Sequence, residues 1–152
     1  NALNLPFEDY SFDWVVTKNL LHHLVGKTRK ESKQFAKRAV EELIRVTKED
    51  GYIIILDQYN RHKLFSSIVF YLTLFFSIFS ISLNSFGLGE NVIVSFLHPD
   101  ETMRLLLENG NIELIFNKEN KIDVSKKLKY SLLMADIGRL LVIGKVRKNV
   151  KI

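Results

Sequence analysis

A stretch without formal charge constrains this 152-residue chain more than any other feature. Between Lys63 and Glu90 lie 26 residues, 64–89, that include no Asp, Glu, Lys or Arg. The segment Leu64–Ser82 has a mean hydropathy of about +2, within the range used to identify transmembrane helices. Protein or lipid must cover this stretch, because so large an apolar surface is not left in water.

The segments on either side of this stretch read as parts of one sheet, which argues against a single membrane crossing. Tyr52–Leu56 precedes it and Leu140–Val146 follows it, and both are short apolar runs typical of buried strands. A chain that crossed once would leave them on opposite sides of the bilayer, and two crossings need about 40 apolar residues. We therefore expect residues 61–97 to be a hydrophobic insertion, either a lid helix or a helix lying in the membrane interface.

Small polar residues recur within this insertion at spacings of seven, four, three and four: Ser66, Thr73, Ser77, Ser80 and Asn84. On a helix they form a thin polar stripe, while Phe, Leu and Ile cover the rest of the surface. Arg61, His62 and Lys63 precede it, and the chain's net charge of +5 favours peripheral contact of 64–86 with anionic headgroups. One alternative is a helix buried in a protein core or dimer interface. Another is a true span over Leu64–Phe86 between unrelated flanks.

Composition excludes several kinds of site. The chain has no cysteine, which excludes disulfides, thiolate metal sites and a cysteine nucleophile. The four histidines, at positions 22, 23, 62 and 98, lack the helical spacing of a metal site, so we expect no metal. The start of the chain lacks the pattern of a signal peptide, so we expect a cytoplasmic protein that contacts a membrane at most peripherally.

The residues before the apolar stretch predict a strand, a helix and a second strand. Phe12–Thr17 is aromatic and β-branched, as in a buried strand. Thr28 and Glu31 have the spacing of a capping box, and Asp50–Gly51 predicts the helix end. Helically spaced apolar residues lie between them: Phe35, Ala39, Leu43 and Val46. Tyr52–Leu56 is apolar throughout, which is typical of a strand covered on both faces.

The residues after the stretch predict one more helix and two more strands. Pro99, Asp100 and Glu101 open a helix that Asn109–Gly110 closes. Ile112–Phe116 and Leu140–Val146 read as strands, separated by a basic segment from Lys118 to Lys129. The chain is therefore predicted to be an α/β protein.

Four blocks, taken together, resemble class I S-adenosylmethionine-dependent methyltransferases, in the quinone, sterol and small-molecule branch. They are Asn1-Ala2-x-x-Leu5-Pro6-Phe7-Glu8-Asp9-x-Ser11, then Phe12-Asp13-x-Val15-Val16, then Leu21-His22-His23-Leu24, and finally Glu42-Leu43-x-Arg45-Val46-x-Lys48-x-x-Gly51-x-Ile53-x-Ile55. Their order and spacing hold over residues 1–57, and the tail from Phe96 to Val146 fits more loosely. The resemblance implies a partial Rossmann-like methyltransferase sheet with a hydrophobic helical insertion.

The resemblance also assigns roles to residues. The cofactor would be S-adenosylmethionine, with Asn1 accepting a hydrogen bond from the adenine amine and Ala2 lying against the adenine ring. Thr17, Lys18 and Asn19 would flank the methionine part of the cofactor. A base is needed only where the acceptor must lose a proton, and the candidates at the strand ends are His22, His23 and Asp57. Packing roles for the histidines, and a cap or turn role for Asp57, are the alternatives.

The family's glycine-rich loop and ribose-binding acid have no counterpart in this sequence, and Gly87-x-Gly89 lies too far downstream to replace them. We therefore expect residues 1–152 to be the C-terminal part of a single methyltransferase domain that binds the cofactor poorly alone. The predicted acceptor is a hydrophobic small molecule such as a lipid, quinone or isoprenoid. Nucleic acid is not expected, because the basic residues lack aromatic interleaving. The alternative is a non-catalytic module that docks a membrane or protein partner through the apolar helix.

Overall fold

A mixed four-stranded sheet is the centre of the fold in the computed structural model. The model describes residues 1–82, 92–108, 111–124, 126, 129 and 136–147. Its elements, in chain order, are β1 (Phe12–Lys18), α1 (Arg29–Val46), β2 (Thr47–Asn60), α2 (Lys63–Ile78), α3 (Pro99–Leu107), β3 (Ile112–Lys121) and β4 (Ile137–Val146). The strand order is β1-β2-β4-β3; β1 runs parallel to β2, while β4 is antiparallel to both β2 and β3. The prediction of a partial Rossmann-like α/β sheet is confirmed.

Helix α1 begins at its expected position but ends earlier than predicted. Thr28 is the N-cap, and its hydroxyl accepts a hydrogen bond from the Glu31 N–H at 3.1 Å. The second half of the predicted capping box is wrong, because the Glu31 carboxylate accepts from the N–H of Lys27 instead, at 2.7 Å. The helix ends at Val46 and continues directly into β2, since Thr47 already pairs with Phe12 of β1.

The predicted helix break at Asp50–Gly51 lies inside β2. Asp50, not Gly51, takes the left-handed conformation, with a φ of 63°. Gly51 serves a close approach: a Cβ there would lie 2.9 Å from the carbonyl oxygen of Lys48 and 3.0 Å from that of Asp13. The glycine therefore lets β2 run next to β1.

Helices α1 and α3 pack on the same face of the sheet. The core beneath them contains fully buried residues of β2 and β4, among them Ile53, Ile55 and Val142. On the opposite face Trp14 is 59% exposed and Val16 is 64% exposed. The prediction that β2 is covered on both faces is therefore wrong for the described residues, because alternate side chains of β2 are buried and half-buried.

The apolar stretch forms a helix shorter than predicted. Helix α2 ends at Ile78, and no helix of the described residues has the length and apolarity to cross a bilayer. Residues 83–91 lie outside the described part, as do Asn84, Gly87 and Gly89 and the end of the 64–86 segment. Asn109 and Gly110 also lie outside it.

After the insertion, α3 begins at Pro99 as predicted, whereas the two strands extend beyond their predicted bounds. At the start of α3 the Glu101 carboxylate accepts a hydrogen bond from the N–H of His98 at 3.0 Å, and Nδ1 of His98 accepts one from the N–H of Asp100 at 3.2 Å. Strand β3 continues to Lys121, so the beginning of the predicted basic connector is strand rather than loop. Pairing with β4 explains the extension, since Lys118 and Lys121 both have partners there.

Candidate active site

The carboxyl ends of β1 and β2 meet at one edge of the sheet. Parallel pairing sets Lys18 beside Leu56, and the N–H of Asn19 donates to the carbonyl of Leu56 at 2.8 Å. Asn19 has a φ of 52°, a left-handed conformation that asparagine tolerates better than most residues. The chain thereby turns above the strand ends into a short 3-10 helix, Leu21–His23.

Asp57 connects this turn to β2. Its carboxylate accepts hydrogen bonds from the Nδ1 of His22, the N–H of Leu21 and the N–H of Gln58, the last at 2.6 Å. Asp57 and His22 are both almost completely buried. A neutral His22 that donates from Nδ1 carries its lone pair on Nε2, so the carboxylate fixes both the tautomer and the orientation of the ring.

His23 lies beside this buried pair but on the exposed side of the turn. Its ring centroid is 4.1 Å from that of His22. Partial burial lowers the pKa of His23, the neighbouring His22 lowers it further, and Asp57 opposes the shift. His23 is therefore neutral at pH 7 and able to take up a proton, while His22 is held inside the protein.

A buried arginine that the sequence analysis did not single out supports the other side of His22. Arg29 donates to the hydroxyl of Ser95 and to the carbonyl of Phe96. The N–H of Ser95 in turn donates to the carbonyl of His22 at 2.8 Å, and the Phe96 ring stacks on the His22 ring at 5.6 Å. Thus α1, the segment around residue 95 and the 3-10 turn together hold His22 in place.

The burial of Arg29 is electrostatically costly. Desolvation lowers its pKa, and its Nε has no hydrogen-bond partner among the described residues. One signal in the sequence was available: a cation in the first turn of a helix faces the positive end of the dipole. The burial of Arg29 is set by the tertiary contacts with Ser95 and Phe96, which no local pattern in the sequence indicates.

The predicted cofactor residues fall into two groups. Thr17, Lys18 and Asn19 lie at the same edge as His22, with Thr17 buried and the other two exposed. The structure thus brings these three together with the predicted base candidates His23 and Asp57. An open edge of this kind fits a ligand lying across the ends of β1 and β2.

The second group, Asn1 and Ala2, belongs to the segment before β1. The Asn1 side-chain oxygen accepts from the N–H of Leu3 at 3.0 Å, so it is engaged within its own turn. Ala2 packs at the margin of the core, and Arg38 of α1 donates to the carbonyl of Leu3 at 3.0 Å. An adenine amine would have to compete with the Leu3 N–H for the Asn1 oxygen.

The segment that carries this edge matches a known family model. Residues 1–55 match the model described as a methyltransferase domain. The match runs from the first turn through β1 and α1 into β2, and it ends two residues before Asp57.

Two curated proteins are similar to the same part of the chain. The tRNA (carboxymethyluridine(34)-5-O)-methyltransferase of Arabidopsis thaliana is 36% identical over 55 residues, which are 36% of this chain and 12% of that protein. The "Probable tRNA methyltransferase 9B" of Bos taurus is 36% identical over 64 residues, 40% of this chain and 13% of that protein. The match therefore spans about an eighth of each relative's length.

Solved structures match almost the whole chain. A SAM-dependent methyltransferase from Methanosarcina mazei superposes with a TM-score of 0.59 at 15% identity, covering 97% of this chain and 65% of that chain. The chain has the class I methyltransferase fold. The YcgJ protein of Bacillus subtilis gives a TM-score of 0.58 at 16% identity, over 97% of this chain and 69% of that one.

Proposed function

We propose that this chain is the C-terminal part of an S-adenosylmethionine-dependent methyltransferase that acts on a hydrophobic small molecule. One observation carries the proposal: the family match over residues 1–55 covers β1, α1 and the first part of β2, and His22, His23 and Asp57 lie at the ends of these two strands. In open α/β sheets, ligands bind at the carboxyl ends of the parallel strands.

The side chains at this edge fit the modest demands of methyl transfer. When bound, the cofactor supplies a methyl group on a sulfonium, which is already electrophilic, so positioning and exclusion of water provide most of the acceleration. Asp57 orients His22, and the pair shapes the wall of the site. His23 takes a proton from acceptors that must lose one, because it is neutral at pH 7 and reaches the surface. Thr17, Lys18 and Asn19 would hold the cofactor beside it.

Two surfaces support the view that residues before Asn1 complete the domain. The outer edge of β1 has no strand paired to it among the described residues, although β1 is parallel to β2 on its other side. The sheet face that carries Trp14 and Val16 is exposed. A further strand on this edge, and helices on this face, would bury both surfaces and add the phosphate- and ribose-facing loops that this sequence lacks.

The test compares this chain with the complete reading frame that contains it. Binding of S-adenosylmethionine is measured by calorimetry for both polypeptides. We expect binding by the longer polypeptide and weak or no binding by residues 1–152. Failure of the longer polypeptide to bind would overturn the enzymatic proposal and favour a non-catalytic module with this fold.

The acceptor is tested separately, with radiolabelled methyl transfer from the cofactor. The hydrophobic acceptor is supported by helix α2, which follows Asp57 closely in the chain and exposes apolar side chains such as Tyr71 and Phe75. We expect label in the organic phase of a lipid, quinone and isoprenoid extract. The His23→Gln variant should lose transfer while retaining cofactor binding, and Lys27→Gln is the exposed control nearby.

RNA is the second candidate acceptor, and the two curated relatives favour it, because both are named as tRNA methyltransferases. The same assay is run with total tRNA in place of the extract. Label in nuclease-sensitive material, with none in the organic phase, would replace the hydrophobic acceptor by RNA. It would leave the proposed cofactor and fold unchanged.

A further inference from the structure

Helix α2 is oriented with its small polar side chains toward the protein. Ser66 and Thr73 are fully buried, and the Thr73 hydroxyl bonds the carbonyls of Val69 and Phe70 at 2.9 and 3.0 Å. The oxygen of the same hydroxyl accepts a weak hydrogen bond from the N–H of Val94 at 3.4 Å. The polar stripe that the sequence predicted therefore begins on the inner side of the helix.

The opposite side of α2 is apolar and exposed. Four residues at positions i, i+7, i+11 and i+14 share one side of the helix, and we call them the outer stripe: Leu64, Tyr71, Phe75 and Ile78. Their exposed fractions run from 50% for Phe75 to 69% for Leu64. Phe79 and Ile81 extend the exposed apolar surface beyond the helix end. A helix that faced water would present its serines and threonine there instead.

The size of the outer stripe disfavours a second copy of the chain as the partner that covers it. A helix of 16 residues is about 24 Å long and about 10 Å wide, so this face offers roughly 240 Å². A stable protein interface needs about 800 Å² from each partner. Insertion into a lipid interface has no such requirement, since each apolar side chain contributes as it leaves water.

Charge at the beginning of the helix indicates which kind of lipid surface fits. Arg61, Lys63 and Lys121 are exposed there, and two of these cations are paired: Arg61 with Glu119 at 2.6 Å and Lys121 with Asp136 at 3.1 Å. Three cations against two carboxylates leave an excess of one positive charge. Helix α2 itself contains no acidic residue. The positive excess favours anionic headgroups, which attract basic residues within about a Debye length.

We propose that the outer stripe of α2 docks the protein on an anionic membrane surface, with the helix lying in the interface. The proposal goes beyond methyl transfer, because it concerns binding that needs neither cofactor nor turnover. It would also bring the edge that carries His23 close to lipid, since α2 follows β2 after Arg61 and His62.

The experiment measures sedimentation of the full reading frame with two kinds of vesicle, one of phosphatidylcholine and one of phosphatidylcholine with phosphatidylserine. We expect binding to the second kind and weaker binding at high salt. The variant Phe75→Gln with Ile78→Gln should lower the partition coefficient about tenfold or more. Its matched control is Ile115→Gln with Phe116→Gln on β3, where exposure is 49% and 44%.

Each result decides the proposal. Equal loss of binding in both double variants, or no binding by the unchanged protein, would overturn it. A monomer–dimer equilibrium abolished by the α2 variant, measured by analytical ultracentrifugation without vesicles, would replace lipid by a second copy. Far-ultraviolet circular dichroism is the control for the folding of each variant. Calorimetry with S-adenosylmethionine tests the proposed function separately.

Discussion

On one face of the sheet Ile53 and Ile55 are fully buried beneath α1 and α3, whereas on the other face Trp14 and Val16 are mostly exposed. The two faces carry equally apolar residues, so the sequence of the strands does not distinguish them. The difference lies in the helices, because α1 and α3 both pack on the face that carries Ile53 and Ile55. A sheet with one uncovered apolar face is expected to gain stability from whatever covers it.

The largest expected effect comes from a matched pair of neighbours on β2. Ile55→Ala removes a fully buried side chain and should lower the free energy of unfolding by about 3–4 kcal/mol. Ile54→Ala, on the half-buried face, should cost less than half as much in residues 1–152. Urea unfolding of both variants measures the difference.

The same pair tests what completes the domain. If the domain is completed as proposed, the cost of Ile54→Ala in the full reading frame should rise toward that of Ile55→Ala, because additional helices on this face would bury Ile54. Equal costs in the short chain would show that the two faces are already equally covered, and the comparison would fail.

A smaller effect on stability is expected from substitution of Asp57, the buried carboxylate at the end of the covered face. Asp57→Asn removes a buried carboxylate that accepts three hydrogen bonds, and should cost about 2 kcal/mol. The imidazole Nδ1 proton of His22, followed by NMR, should lose its downfield shift. Asp13→Asn, an exposed carboxylate paired with Lys48 at 2.9 Å, is the control and should leave stability unchanged. A loss of stability equal to that of Asp13→Asn would show that the buried pair is energetically neutral.

The open face has a built-in reporter, because Trp14 is the single tryptophan and lies on it. Its ring stacks on Tyr52 with centroids 4.5 Å apart. We expect fluorescence typical of a solvated indole, readily quenched by acrylamide, in residues 1–152, and a blue-shifted, protected indole in the full reading frame. Trp14→Phe should change stability by less than about 1 kcal/mol in the short chain. Identical quenching in the two polypeptides would mean that nothing covers this face.

The smallest effect on stability is expected at Glu42 of α1, whose carboxylate accepts a hydrogen bond from the N–H of Leu5. Bonds from Arg45 and then from the N–H of Leu5 hold the pKa of Glu42 at about 2, below its usual 4.5. Because the pKa of Glu42 is lower in the folded state than in the unfolded chain, its ionised form stabilises the folded state, and this contribution is complete above about pH 4.5. It is lost as the pH falls toward 2. Glu42→Gln should flatten that part of the stability curve, with a loss of about 1 kcal/mol or less at pH 7. An unchanged acid limb would exclude Glu42 as its source.

The sequence by itself determined the βαβ unit, the start of α1 at Thr28 and the start of α3 at Pro99. These follow from short-range causes: helical spacing of apolar residues, side chains that satisfy free N–H groups, and β-branched runs. It also placed His22, His23 and Asp57 at strand ends, and hence at one edge, because parallel strands share their carboxyl ends.

Only the tertiary structure decided which face of α2 points inward, which of two adjacent histidines is buried, and that Arg29 is buried beside them. Each depends on residues distant in the chain, such as Ser95 and Phe96, whose approach no local pattern encodes. The early end of α1 has the same origin, since pairing of Thr47 with Phe12 outweighs the propensity to continue the helix. Local patterns set the elements, and long-range burial and pairing then fixed their ends and orientations.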